Sequence, residues 1–293
     1  MKPSVRLVLL VSLFLSLCDI ANAESPVNFT LSLNTAKDPG ATYDRLQEAG
    51  RGLNNPYIIG FQVAVHSVNG TNVNLSPIAA FCSELQESIS VASYTFTSRQ
   101  LWYLSAGQAG VPGTASSAIP TGGIGAQRAA YVSYLFDRYY ISEALSEWTY
   151  TQTNPFTHAF QLALWEMTHD SDLNLVNTSG AIYIGSQTSG SATAIAQRNN
   201  AITLAQTMLQ DVYDANISSS YISTNFNICA LASISGNGTG GFQDIILATK
   251  KGSITTATLS PLITLPEPNV QTLLFMVSGF FWFICRVRRH LYR

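Results

Sequence analysis

A thiol, a carboxamide and an imidazole are the groups with which this chain could do chemistry. Cys82 follows Phe81 in an apolar stretch, 78–85 (IAAFCSEL). Its thiolate would be the nucleophile, so a nearby base or positive group should assist it. Gln161 lies in 155–170 (PFTHAFQLALWEMTHD), flanked by Ala159, Phe160, Leu162, Ala163 and Leu164. An amide there is expected to be at least half buried, and its two donors and one acceptor then need partners. Trp165 stands four residues on, on the same helical face. His158 stands one turn back on that side, as a candidate proton shuttle or as a solvated surface histidine. Packing in the core is the plainer role for Trp165, and a hydrogen bond to a loop backbone is the plainer role for Gln161.

The cysteine count leaves two pairings open. Of four cysteines, Cys18 and Cys285 fall in terminal apolar runs, and the body keeps Cys82 and Cys229. In an oxidising compartment the ordinary expectation is one Cys82–Cys229 disulfide. Zinc is not expected: there is no Cys-x-x-Cys, and His158 and His169 are eleven residues apart. Glu166, His169, Asp170 and Asp172 cluster at a helix end and the loop after it. Their oxygens could serve calcium, but the expectation is a solvated acidic face, and neither a metal nor a cofactor is assigned. No phosphate loop, nucleophile-elbow serine or paired-carboxylate motif is present, so an enzyme is not expected.

Taken together, the aromatic-Cys pair Phe81-Cys82 and the later apolar-Gln-x-x-apolar-Trp segment, Phe160 to Trp165, resemble the thioester domains of Gram-positive surface adhesins. That resemblance covers roughly residues 78–170. It implies that Cys82 and Gln161 are joined as an internal thioester, with Phe81, His158 and Trp165 in support. Thiolate attack on the carboxamide would expel ammonia. Because amide resonance makes that carbonyl a poor electrophile, the fold would have to supply proximity and a donor for the oxyanion. The thioester would then acylate an amine on a surface or matrix partner, and Trp165 would help exclude water until the partner docks.

The positioning elements follow from periodicity. Residues 57–68 (YIIGFQVAVHSV) alternate and are β-branched, which predicts a strand ending in the Asn69-Gly70 turn. A second strand is predicted at 78–85. Helices are predicted at 125–139, at 155–170 behind a capping Asn154 with Pro155 in the first turn, and at 192–213 with Ile202, Ala205, Leu209 and Val212 on one stripe. Strands at 226–233 and 242–249 close the body across a Gly-rich turn at 235–241. The stretch 107–125 reads as a long surface loop. Strands, helices and strands again predict an α+β fold, a single domain of antiparallel β-strands with an inserted helical subdomain.

Both ends of the chain read as addresses. Lys2 and Arg6 precede an apolar run at 7–18, and Ala21-Asn22-Ala23 gives the small-x-small pattern cut by signal peptidase, so 1–23 is a predicted signal peptide. At the other end, Pro266-Glu267-Pro268 precedes a short apolar run at 270–284, followed by Arg286, Arg288 and Arg289. The run falls short of the about 20 residues a bilayer span needs, and the arginines should stay cytoplasmic. Together these parts resemble the PEP-CTERM sorting signal of Gram-negative bacteria. The resemblance implies a short transmembrane helix within 261–293, recognition and cleavage by an exosortase, an inner-membrane intermediate, and delivery to the outer surface or extracellular matrix.

Between the signals, 24–260 is the secreted body. Over 24–265, nine Lys+Arg stand against fifteen Asp+Glu, a net charge near −6. That balance argues against nucleic acid and anionic membranes as partners. Six Asn-x-Ser/Thr sequons (Asn28, Asn69, Asn74, Asn177, Asn216, Asn237) read as accidents of composition in a bacterium. The expected function is adhesion or biofilm-matrix attachment through the Cys82–Gln161 thioester. The alternative is a non-reactive matrix protein held by Cys82–Cys229.

Overall fold

Antiparallel pairing closes six strands on themselves. The structure is a computed structural model that describes residues 28–35, 41–43, 46–48, 51–52, 57–58, 61–68, 70–72, 78–83, 93–99, 124–142, 148, 155–170, 172–233 and 245–251. Residues Pro26–Ile263 form one compact unit, and every described residue lies within it. The expected signals at 1–23 and 261–293, the turn at 235–241 and Asn154 lie outside the described residues. Among the described residues no helix is long and apolar enough to cross a membrane.

The main strands are β1 (Asn28–Thr35), β6 (Phe61–Val68), β8 (Ile78–Cys82), β9 (Ser93–Arg99), β11 (Phe226–Ser233) and β12 (Ile245–Lys250). Their order is β1-β9-β11-β12-β8-β6, and β6 pairs back onto β1 to complete the ring. Closure leaves this ring without an unpaired edge. β7 (Thr71–Asn72) folds onto β6 across Asn69-Gly70, where Gly70 has φ of 76°, the left-handed geometry such two-residue turns need. Short strands form two small sheets. One joins β2 (Ala41–Thr42) to β5 (Tyr57–Ile58), and the other orders β10 (Ile182–Ile184), β3 (Leu46–Glu48) and β4 (Arg51–Gly52).

Among the described residues three helices are inserted between β9 and β11, which are neighbours in the ring. They are α1 (Gly125–Tyr139), α2 (Phe156–His169) and α3 (Ala192–Asp214). The α+β expectation with an inserted helical part therefore holds. Ser191 caps α3 by accepting from the Ala194 N–H (3.2 Å), and Ile202, Ala205, Leu209 and Val212 are all buried. β6 alternates: Phe61, Val63 and Val65 are buried while His66 is exposed. β8 is buried at all five positions. It is covered on both faces because α2 packs over it.

Two local expectations are corrected. The predicted strand at 57–68 is two elements in different sheets, β5 and β6, with Gly60 in the interval between them. Pro155 is the N-cap of α2 rather than its first helical residue, and its own side chain makes no capping hydrogen bond. A proline side chain has no oxygen with which to accept from the N–H groups of the first turn.

Candidate functional site

Gln161 meets Cys82. Its Oε1 accepts from the Cys82 backbone N–H at 2.9 Å, and its Nε2 donates to the Cys82 carbonyl at 2.7 Å. A carboxamide has the donor–acceptor layout of a peptide group, so it pairs with Cys82 as a neighbouring strand residue would. β6 runs beside β8 only as far as Phe61 opposite Ala80. Cys82 is two residues further on, and there Gln161 takes up the backbone groups. The side chain is 2% exposed and both ends of its amide are satisfied, as a buried amide requires.

The flanking residues hold this contact in place. Phe81 and Phe160, each one residue before a member of the pair, pack with ring centres 4.7 Å apart and planes tilted by 50°. Phe81 also meets Trp148 at 4.9 Å and Phe136 at 6.2 Å, so one ring ties β8 to α1 and α2. Two turns after Gln161, the Thr168 hydroxyl is 3.2 Å from the Ser83 carbonyl. Helix α2 is thus registered against the end of β8 at three levels.

His158 is fully buried, which overturns the solvated-surface alternative. Its Nδ1 lies 3.2 Å from the Tyr43 hydroxyl. Tyr43 was not legible as a site residue, because no local pattern ties residue 43 to a helix more than a hundred residues away. Trp165 is buried, and its indole N–H has no hydrogen-bond partner among the described residues.

No disulfide joins Cys82 to Cys229. β12 lies between their strands: Cys229 is opposite Leu247, which is opposite Ala80. Two strand spacings put β8 and β11 about 10 Å apart, beyond the roughly 7 Å that a disulfide spans. The expected alternative pairing is therefore excluded by topology. Burial pushes the Cys229 thiol up to about 12, and its Sγ leans on the Ala230 carbonyl at 3.6 Å. It is a core residue with no thiolate at neutral pH.

The acidic group at the end of α2 is not a solvated face either. Glu166, His169 and Asp170 are buried, and only Asp172 is exposed. Burial, helped by the neighbouring Asp172 and Asp170 carboxyls, pushes Glu166 up to about 9 against the opposing Asn174 N–H. Burial likewise drives His169 down to about 4, so it is neutral and its Nδ1–H donates to the Trp165 carbonyl (2.9 Å).

No protein-family model and no curated protein sequence matches this chain. Among solved structures it is similar to the N-terminal domain of the Streptococcus pyogenes pilus tip adhesin Cpa. The identity is 12% and the TM-score 0.40, over 78% of this chain and 96% of that one. It is also similar to the N-terminal thioester domain of the fibronectin-binding protein SfbI from Streptococcus pyogenes. There the identity is 15% and the TM-score 0.35, over 73% of this chain and 96% of that one. Backbones that overlap this loosely decide nothing about chemistry, so the reading of the site rests on the Cys82–Gln161 geometry.

Proposed function

We propose that this protein is an exported adhesion or matrix-attachment module that acylates an amine on its partner through a Cys82–Gln161 thioester. The observation that carries the reading is the two-way pairing of the Gln161 carboxamide with the Cys82 backbone. It supplies both things the reaction lacks in water. The carboxamide is held against the residue that bears the thiol, and the Cys82 N–H is aimed at the oxygen on which charge develops.

The Cys82 sulfur bonds to the Gln161 carboxamide carbon as the carbon–nitrogen bond breaks. The thiol proton leaves with the nitrogen as ammonia. Loss of Nε2 frees the Cys82 carbonyl but keeps the bond to Oε1. Sulfur conjugates poorly with the carbonyl, so the product is a stored electrophile. A partner amine then adds at that carbon, sulfur departs, and the amine proton returns to the thiol. His158, with Tyr43 behind it, is the proposed proton shuttle for both steps. Each protein reacts once with its partner, and neither a cofactor nor a metal is needed.

Export fits this role. In this reading 1–23 is removed by signal peptidase after Ala23. The tail with Pro266, Glu267, Pro268, Arg286, Arg288 and Arg289 holds an inner-membrane intermediate until an exosortase releases the body to the outer surface or matrix.

The test is the mass of the purified chain without reductant, followed by peptide mapping. The expected result is loss of one ammonia on a joined Cys82–Gln161 peptide pair, and incorporation of methylamine at Gln161. Cys82→Ala and Gln161→Ala should each abolish incorporation, whereas Cys229→Ala should leave it intact. Incorporation that survives either of the first two substitutions ends the reading. An unmodified Gln161 amide throughout would make the pair a structural clamp in a non-reactive matrix protein.

A further inference from the structure

Three carboxylates converge at the C-terminal end of α2. Glu166, Asp170 and Asp172 each place an oxygen within 4.8 Å of the other two. That is the spread of oxygens around a single calcium ion, whose ligands stand at about 2.3–2.6 Å and therefore no more than about 5 Å apart. The location is electrostatically wrong for bare acids. A helix C-terminus carries the negative end of the macrodipole and favours cations. Glu166 and Asp170 are also removed from water, where negative charge is costly unless neutralised.

A second observation points to a cation ligand. Glu166 is fully buried, and its Oε2 has no hydrogen-bond donor among the described residues, although its carboxyl stands beside that of Asp172. The other oxygen, Oε1, accepts from the Asn174 N–H at 2.9 Å. The loop thus aligns one oxygen of Glu166 and leaves its buried twin without a donor among the described residues. The same loop orients Asp172, whose Oδ1 accepts from the Asn174 N–H (2.9 Å) and whose Oδ2 accepts from the Asn177 side-chain amide (2.5 Å). Asp170 accepts from the Ala181 N–H. Gly180 passes so close to Asp170 Oδ2 that a Cβ would sit 2.7 Å from it, which leaves no room for a side chain over this carboxylate.

The nearby cation does not balance the charge. The Arg128 guanidinium donates to the Thr168 carbonyl (3.2 Å), and its field reaches Asp170 and Glu166. It brings one positive charge, fewer than the charges of Asp170 and Asp172 alone. We propose that Glu166, Asp170 and Asp172 bind one calcium ion that locks the 172–181 loop to the end of α2. All three donors are hard oxygens, the choice of calcium rather than of softer metals. Asp172 is exposed, which opens the site to solvent and lets water complete the coordination.

Calcium titration of the purified, metal-stripped chain by calorimetry and thermal melting tests the site. The expected result is saturable binding of one ion per chain. Melting temperature should rise by about 5 °C or more at saturation and fall back with EDTA. Asp172→Asn, an exposed change that should fold, should weaken binding at least tenfold, and Glu166→Gln should remove the shift. Cys82→Ala should keep it, since the ion and the thioester are separate. No binding at millimolar calcium overturns the site, as does a shift that survives both carboxylate substitutions. A shift produced by magnesium and not by calcium overturns the choice of ion.

Discussion

At the scale of single residues, the site is an exchange of one backbone-like partner for another. Gln161 offers Cys82 the pair of hydrogen bonds that a neighbouring strand would, so the amide is fixed with no flexible arm left to search. Trp165, one turn on, is the unbalanced neighbour, with a buried indole N–H that has no partner among the described residues. An unmet buried donor costs roughly 1–3 kcal/mol. Trp165→Phe should therefore cost little, no more than about 1 kcal/mol, because the lost packing is offset by removing that donor. Trp165→Ala opens a cavity and should cost about 3–5 kcal/mol. Urea denaturation of both variants checks this, and equal losses would mean that the N–H is bonded in solution.

At the scale of elements, α1 is pinned to the segment that leads into β11 by one carboxylate. Asp137 accepts from the Tyr221 hydroxyl (2.7 Å), the Ser223 hydroxyl (2.5 Å) and the backbone N–H groups of Thr224 (2.7 Å) and Asn225 (3.1 Å). Burial raises its pKa, but the hydrogen bonds outweigh burial and hold it below the ordinary 3.8. A carboxylate whose folded pKa is depressed contributes stability above its unfolded pKa and loses it as pH falls through the folded one. Asp137→Asn turns an acceptor toward donors. It should cost about 1–2 kcal/mol at neutral pH, a modest figure because the site is partly open to water. The gap from wild type should close as pH drops below 3.8. Urea melts across the acid range measure it, and a gap that persists in acid would place the defect in packing.

For the whole molecule, the closed ring presents strands with both neighbours satisfied, apart from β7 and the small sheets, which suits a body exposed to other chains. The proposed route to the surface depends on the tail. Changing Pro266, Glu267 and Pro268 to alanine should leave the chain in the inner membrane, as read by cell fractionation. Normal release of that variant would show that the tail acts as a plain anchor.

Local signals carried much of the element list. Apolar spacing was enough to place α1 at 125–139 and α3 from residue 192, and Asn69-Gly70 marked its hairpin, because each depends on residues within a few positions. β1 and β9 carry the same kind of signal, with Phe29, Leu31 and Leu33 alternating in one and Tyr94 and Phe96 in the other. Helix α2 is buried on every side, so it has no polar face to disclose which way Gln161, His158 or Glu166 points. The pairing of residues 79 apart, the splitting of 57–68 between two sheets and the strand that separates Cys229 from Cys82 belong to the tertiary structure alone. Residue types and spacing set which groups could react. Ring closure over long chain separations decided that Cys82 faces an amide and not a second thiol.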